Sequence, residues 1–191
     1  MYSLILEENT KLYEKYEQKQ IELPSEEEER KMYWLVKETL EKNGYEHYEI
    51  SNFAKRGYSS KHNLDCWHQK EYLGFGAAAH SYTEGCRYSN VSSVQEYIKN
   101  WQEGRIEENF VLHEKQDKTA MAKECILLAV RTIQGCNLEE FEEKFGYELK
   151  KGFKQELAKL ESEGLLEVGE QWIRLSAKGI DLANLVWEEF V

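Results

Sequence analysis

Tyr72-Leu-Gly-Phe-Gly-Ala-Ala-Ala-His-Ser81 is the stretch on which the fold turns. Two glycines and three successive alanines inside an apolar run read as a buried strand with its exit, where small side chains let a ligand or another backbone come close. It is no phosphate loop, since the Walker pattern is absent and a lone GxG does not make a dinucleotide site. Upstream, Tyr48–Ser51 reads as a strand and Ala54–Asp65 as a loop. Pro24-Ser25 with Glu28 forms a capping box for a helix. That helix places Met32, Leu35, Val36, Thr39 and Leu40 on one face and should end at Asn43-Gly44. Tyr2–Leu6 reads as a short strand, and Lys11–Gln20 as a solvated excursion or a frayed helix. Downstream, Ser89–Val94 opens a helix through Tyr97, Ile98 and Trp101 that closes near Gly104.

This alternation is the vocabulary of an α/β layer, yet a complete (β/α)8 barrel takes ~250 residues. Residues 1–110 therefore supply only the last few units of a partial barrel, and the chain is expected to be the C-terminal piece of a longer protein. A half-built sheet leaves an edge that invites the missing half or a second copy, so a homodimer through that edge is one expectation. From Glu114 the pattern changes to helices, placing a boundary near residues 105–114 and a second domain over 111–191. Met121, Ile126, Leu128, Ala129 and Ile133 line its first helix, Asn137 caps a second that stops at Gly146, and Leu149, Phe153, Leu157 and Leu160 line a third that ends at Gly164. A hairpin over Leu165–Val168 and Trp172–Ser176 and a last helix capped by Ser176 complete a winged-helix-like arrangement.

Composition excludes several classes. The chain carries a net charge of −11 and is 41% apolar with twelve Tyr, seven Phe and five Trp, so it has material for a core and repels phosphate backbones and anionic membranes. Lys150, Lys151, Lys154 and Lys159 sit where a winged helix would read DNA. Residues 112–191 nonetheless hold sixteen acidic against eleven basic side chains, a net of −5, so no nucleic-acid partner is expected. No apolar run reaches the ~20 residues of a membrane span and the N-terminus lacks a signal-peptide pattern, so residence is expected to be cytoplasmic, peripheral to a membrane only through partners.

Candidate chemistry concentrates in His62-Asn-Leu-Asp-Cys-Trp67 and its surroundings. His62, Asp65, Cys66 and His68 are types that hold zinc, but their spacing matches no closed zinc site. A haem ligand needs less: one neutral imidazole aimed at iron and aromatic walls, which His62 offers with Trp67, Tyr72 and Phe75 nearby. A loop histidine satisfied by hydrogen bonds is the alternative. His80 and Ser81 at the strand exit, with Glu49 and Asn52 at the end of the preceding strand, could face one cleft, Glu49 as base or polar anchor. Close packing of a sheet explains the small residues equally well. Cys66, Cys86, Cys125 and Cys136 contain no CxxC pair, and no Ser-His-Asp or Cys-His pattern is spaced for hydrolysis.

Several segments together resemble one family. Tyr48-Glu-Ile-Ser-Asn-Phe-Ala54, His62–Trp67, Glu71–Tyr82, Arg87-Tyr-Ser-Asn90 and Arg174-Leu-Ser-Ala-Lys-Gly179 look like the HemW branch of the radical S-adenosylmethionine proteins, which is related to oxygen-independent coproporphyrinogen III oxidase. The resemblance implies haem binding through an HNxxYW pattern, falling on His62, Asn63 and Trp67, with Cys66 where that pattern has tyrosine. It makes Gly74, Phe75, Gly76, Ala77, Ala79, His80 and Ser81 cofactor- or ligand-adjacent. It further implies S-adenosylmethionine and a [4Fe-4S] cluster on a CxxxCxxC loop in a full-length parent; that loop is not in this sequence, so no radical chemistry is expected of this chain alone. A haem carrier that delivers to acceptor proteins is the favoured function. A part of a coproporphyrinogen oxidase, or a winged-helix interaction module, are the alternatives.

Overall fold

A computed structural model describes residues 2 and 4–191, which gather into two compact units, 1–59 and 60–191. In the first, α1 (Lys11–Glu17) starts at Thr10, whose Oγ1 accepts from the Tyr13 N–H at 3.2 Å. α2 (Glu26–Lys42) starts with the anticipated capping box: Ser25 Oγ accepts from the Glu28 N–H at 3.3 Å and the Glu28 carboxylate from the Ser25 N–H at 2.8 Å. Four glutamates in its first turn match the positive end of the helix dipole. Gly44, in the left-handed region at φ 77°, ends it. β1 (Tyr45–Glu49) and β2 (Asn52–Lys55) then pair antiparallel.

The single strand expected at Tyr48–Ser51 is thus a hairpin, because Glu49 folds the chain back. Its carboxylate accepts from the Ser51 N–H at 3.1 Å and from the Asn52 amide. The strand expected at Tyr2–Leu6 falls partly outside the described residues, and Tyr2 and Leu4–Leu6 form none. α2 buries no residue; Met32 and Leu35 are 46% and 64% exposed, while its half-buried flank is Tyr33, Trp34, Val36 and Leu40.

In the second unit α3 (Lys61–Trp67) occupies what reads in sequence as loop: Ser60 Oγ accepts from the Asn63 N–H, which caps a two-turn helix. The buried strand expected at Tyr72–Ser81 is corrected. Gly76 and Ala78 adopt φ of 104° and 60°, which breaks any extended run, and Leu73 and Phe75 are largely exposed. Tyr72 bridges Tyr82 and a strand begins only at His80, while Ala78 donates to the Val91 carbonyl and Ala79 accepts from the Asn90 N–H. β3 (His80–Thr83), β4 (Cys86–Asn90) and β5 (Phe110–Lys115) form an antiparallel sheet in the order β3-β4-β5, and every residue of β5 is exposed. Ser89 and Asn90 belong to β4, so α4 (Val94–Gln102) begins four residues later than expected, with Ser93 as its cap.

Residues 105–117 hold a 3-10 turn (Ile106–Asn109), β5 and the cap of α5 (Lys118–Ala129). After α5 come β6 (Cys136–Asn137), α6 (Leu138–Phe145), α7 (Leu149–Gly152), α8 (Lys154–Ser162), β7 (Leu166–Val168), β8 (Trp172–Leu175), α9 (Ala177–Asp181) and α10 (Ala183–Glu188). β6-β8-β7 is a second antiparallel sheet. The expected third helix breaks at Phe153 and the last at Leu182, both near φ −123°, ψ 36°. The first break turns the buried Phe153 side chain inward. Phe153 meets Phe141 at 6.3 Å and Phe190 at 5.9 Å between ring centroids, in a core that also buries Ile126, Leu160 and Ile173. Each fully buried side chain of this size contributes about 1.5–3 kcal/mol.

His47 anchors the first unit: its ring stacks on Phe53 at 4.5 Å and Nε2 lies 3.2 Å from Tyr33 Oη, which donates to the Ile50 carbonyl at 2.9 Å. Burial holds the His47 imidazole below its ordinary value near 6.5, with the Lys37 charge adding, against the hydrogen bond to Ile50 and the charges of Glu41 and Glu49. Protonation is therefore harder in the folded than in the unfolded chain. The β1–β2 hairpin keeps its full stability above the ordinary imidazole value and loses it as pH falls below. Amide protection in β1 and β2, corrected for intrinsic exchange, should drop between pH 7.5 and 5 in the native chain and stay level in His47→Gln; a level native profile would refute the linkage.

Candidate functional site

α3 divides the expected haem-binding residues between two faces. His62 and Cys66, one turn apart, lie on its outer side, with His62 exposed and its Nε2 3.9 Å from Cys66 Sγ. Asn63 and Trp67 form the adjacent stripe and are half-buried. The Trp67 ring lies against the Arg131 guanidinium at 4.5 Å, and Trp187 of α10 covers the guanidinium from a second ring at 4.7 Å. Trp67 is thus an anchor for α3 rather than an open wall for a flat ligand.

The end of α3 is pinned as well. Gln69 takes a left-handed backbone at φ 53° and buries its side chain, which donates to the Met121 carbonyl at 3.1 Å and to Glu124 at 2.9 Å and accepts from Lys144 Nζ at 2.9 Å. Glu124 also pairs with Arg87, whose guanidinium covers the Tyr82 ring at 4.9 Å. Burial beside the Glu124 charge pushes the Tyr82 hydroxyl up to about 12. Asp65 is taken by Lys70 at 2.6 Å, an ion pair that holds its carboxyl below the usual range.

Gly74–Ser81 forms a pinned loop. The Asn90 amide donates to the Gly74 and Gly76 carbonyls at 3.2 and 2.7 Å, Ser81 Oγ accepts from the Gly74 N–H at 3.0 Å, and Tyr97 Oη accepts from the Gly76 N–H at 3.2 Å. A side chain at Gly74 would run into the His80 carbonyl, which is why glycine stands there. Phe75 is 83% exposed at the loop tip, Ala77 is half-buried, Ala79 donates to the Gly76 carbonyl, and Ser81 is buried as an internal acceptor. His80 is exposed and stacks on His113 of β5 at 5.6 Å, with Ser89 bonded to His113 at 2.7 Å. Glu49 and Asn52 lie in the first unit, bonded to each other, and Glu49 is fully buried, which removes it as a base toward an outside ligand.

Arg131, Gln69 and His113 escape sequence reading because their partners come from remote segments; the aromatic excess is the one hint that a buried cation would find ring faces. The cysteines do not suit a [4Fe-4S] cluster: they are scattered in sequence, and no group of three or more His, Cys, Asp or Glu side chains gathers for a metal among the described residues. Lys150 donates to the Gly169 carbonyl, and Lys151 and Lys159 pair at the surface with Glu148 and Glu189. Among the described residues no helix is long and apolar enough to cross a membrane.

Two substitutions test this scaffold. Arg131→Leu removes both cation–π contacts and should cost about 1–3 kcal/mol in urea unfolding, with a shift in tryptophan emission; unchanged stability would show the stack to be incidental. Asn90→Ala leaves two carbonyls without their donor and should cost about 2 kcal/mol, with faster exchange of the Gly76–Ala79 amides.

Comparison with known proteins gives concordant matches. The HemN C-terminal domain family matches residues 116–182. Heme chaperone HemW of Lactococcus lactis is 38% identical over the whole chain, which corresponds to 49% of that protein. Heme chaperone HemW of Bacillus subtilis is 36% identical, again over the whole chain and 50% of its own length. The chain thus spans about half the length of the curated relatives it matches. Coproporphyrinogen III oxidase (HemN) from Escherichia coli, described as a radical SAM enzyme, shares the fold with a TM-score of 0.67 at 17% identity, over 88% of this chain and 42% of the other. The HemN C-terminal domain match and the likeness of the whole chain to about half of each heme chaperone together mark the chain as HemW-like.

Proposed function

We propose that this chain is the haem-holding, C-terminal part of a HemW-like haem carrier, and that His62 is its iron ligand. The observation that carries the reading is an exposed imidazole on a helix whose adjacent stripe is fixed by the Trp67–Arg131 stack and whose end is fixed by the Gln69 bonds. A ligand histidine needs both properties, an open approach for the macrocycle and a backbone that does not yield when iron binds. Haem is cargo here. Neutral His62 offers the lone pair of Nε2, and transfer to an acceptor protein proceeds when the acceptor's own ligand replaces the imidazole, which returns to solvent.

Residues 1–110 read as the closing units of a radical-SAM barrel and 111–191 as a winged-helix-like domain of the HemN type. The parent supplies the [4Fe-4S] cluster and S-adenosylmethionine from its other half, with Gly74–Ser81 the nearest part of this chain. The likeness to the oxidase, at 17% identity, bears on fold alone and gives decarboxylation no support. Haemin reduced with dithionite and titrated into the 191-residue chain should give a saturable Soret shift, and His62→Ala should weaken binding about tenfold or more. An identical titration for native protein and variant would remove His62 from the site.

A further inference from the structure

We propose that Cys66 is a second iron ligand of this site, exchanging with His62 at one and the same axial position of haem. The inference rests on the reading that haem docks at His62. The two donor atoms are 3.9 Å apart and one turn apart in sequence, His62 exposed and Cys66 half-buried. They cannot take opposite faces of a porphyrin, because the macrocycle would have to pass between successive turns of a helix of 5.4 Å pitch. Alternation at one face requires only a small slide of the iron, since α3 itself is held by Trp67 and Gln69.

The surroundings narrow the ligand set to these two. Asp65 is committed to Lys70 at 2.6 Å, and among the described residues no third His, Cys, Asp or Glu joins the pair to make a metal cluster. A bare zinc ion needs three or four protein donors. Iron in a porphyrin brings four nitrogens of its own and lacks only an axial ligand, which either member of this pair can supply.

The chemistry gives each donor its own oxidation state. Ferric haem carries a positive charge at iron that a thiolate neutralises; when the Fe–S bond forms, the Cys66 thiol gives its proton to water. A single electron from an external reductant, dithionite in the test, turns the iron ferrous and removes that charge. The Fe–S bond then breaks, the sulfur recovers a proton from water, and neutral His62 Nε2 forms the Fe–N bond. Loss of the electron to an oxidant such as ferricyanide reverses each step.

The test uses haemin with the full chain and with His62→Ala, Cys66→Ser and the double variant, each checked for native circular dichroism. Electron paramagnetic resonance of ferric samples and absorbance of dithionite-reduced, carbon-monoxide-bound samples identify the ligand. The native ferric protein should show a thiolate signature that Cys66→Ser loses while it still binds haem. His62→Ala should keep that signature but bind ferrous haem at least about tenfold more weakly. If native protein and Cys66→Ser give the same ferric spectrum and only His62→Ala loses haem, the exchange is overturned and the carrier reading stands. If neither single variant nor the double variant alters haem binding, both are overturned.

Discussion

The Arg131 guanidinium lies between the indoles of Trp67 and Trp187, and this one stack decides which way α3 faces. A cation in a half-buried position loses much of its hydration, so the ring faces are worth more to it than they would be in water. Because Trp67 is the inward residue, helical geometry leaves His62 and Cys66 outward. Gln69 fixes the next residues by tying the end of α3 to α5 and α6. The outward chemistry of the segment is thus a product of inward packing supplied by residues far along the chain.

The two units are stabilised differently. The second has an aromatic and aliphatic core reaching from Ile126 to Phe190, whereas among the described residues of the first only Ala54 is a buried apolar residue, and polar fastening runs through Glu49, Tyr33 and His47. Its helix α2 exposes Met32 and Leu35, residues that its amphipathic pattern would have buried. The β3-β4-β5 sheet likewise ends in an edge strand with Phe110 and Leu112 more than half exposed. Apolar surface and an open edge together raise the cost of keeping such a chain solitary in solution.

Local signals were legible wherever the chemistry is local. The Ser25–Glu28 box, Asn137 as the cap of α6, Gly146 as its left-handed end and the β7–β8 hairpin all follow from residues within a few positions of one another. Gly74–Ala79 misled because small apolar residues suit both a buried strand and a tight loop. The decision lies with Asn90, which draws two carbonyls together from β4 and has no counterpart in the local pattern. His62 and Trp67 stood out by residue type, but their assignment to opposite duties depended on α3 being helical and on Arg131, neither of which spacing alone discloses.

Gln69 meets two demands that pull toward different residues. A left-handed backbone favours glycine or asparagine, while bonds to Met121, Glu124 and Lys144 need an amide carried on two methylenes. Glycine would relax the turn and abandon all three partners; asparagine would suit the turn and fall short of them. Substitution at this position is therefore narrower than at Glu84, which shares the left-handed conformation but bonds only through its backbone N–H, to Glu71. The motif helix is followed by a position where few side chains could replace glutamine without releasing the end of α3 from α5 and α6.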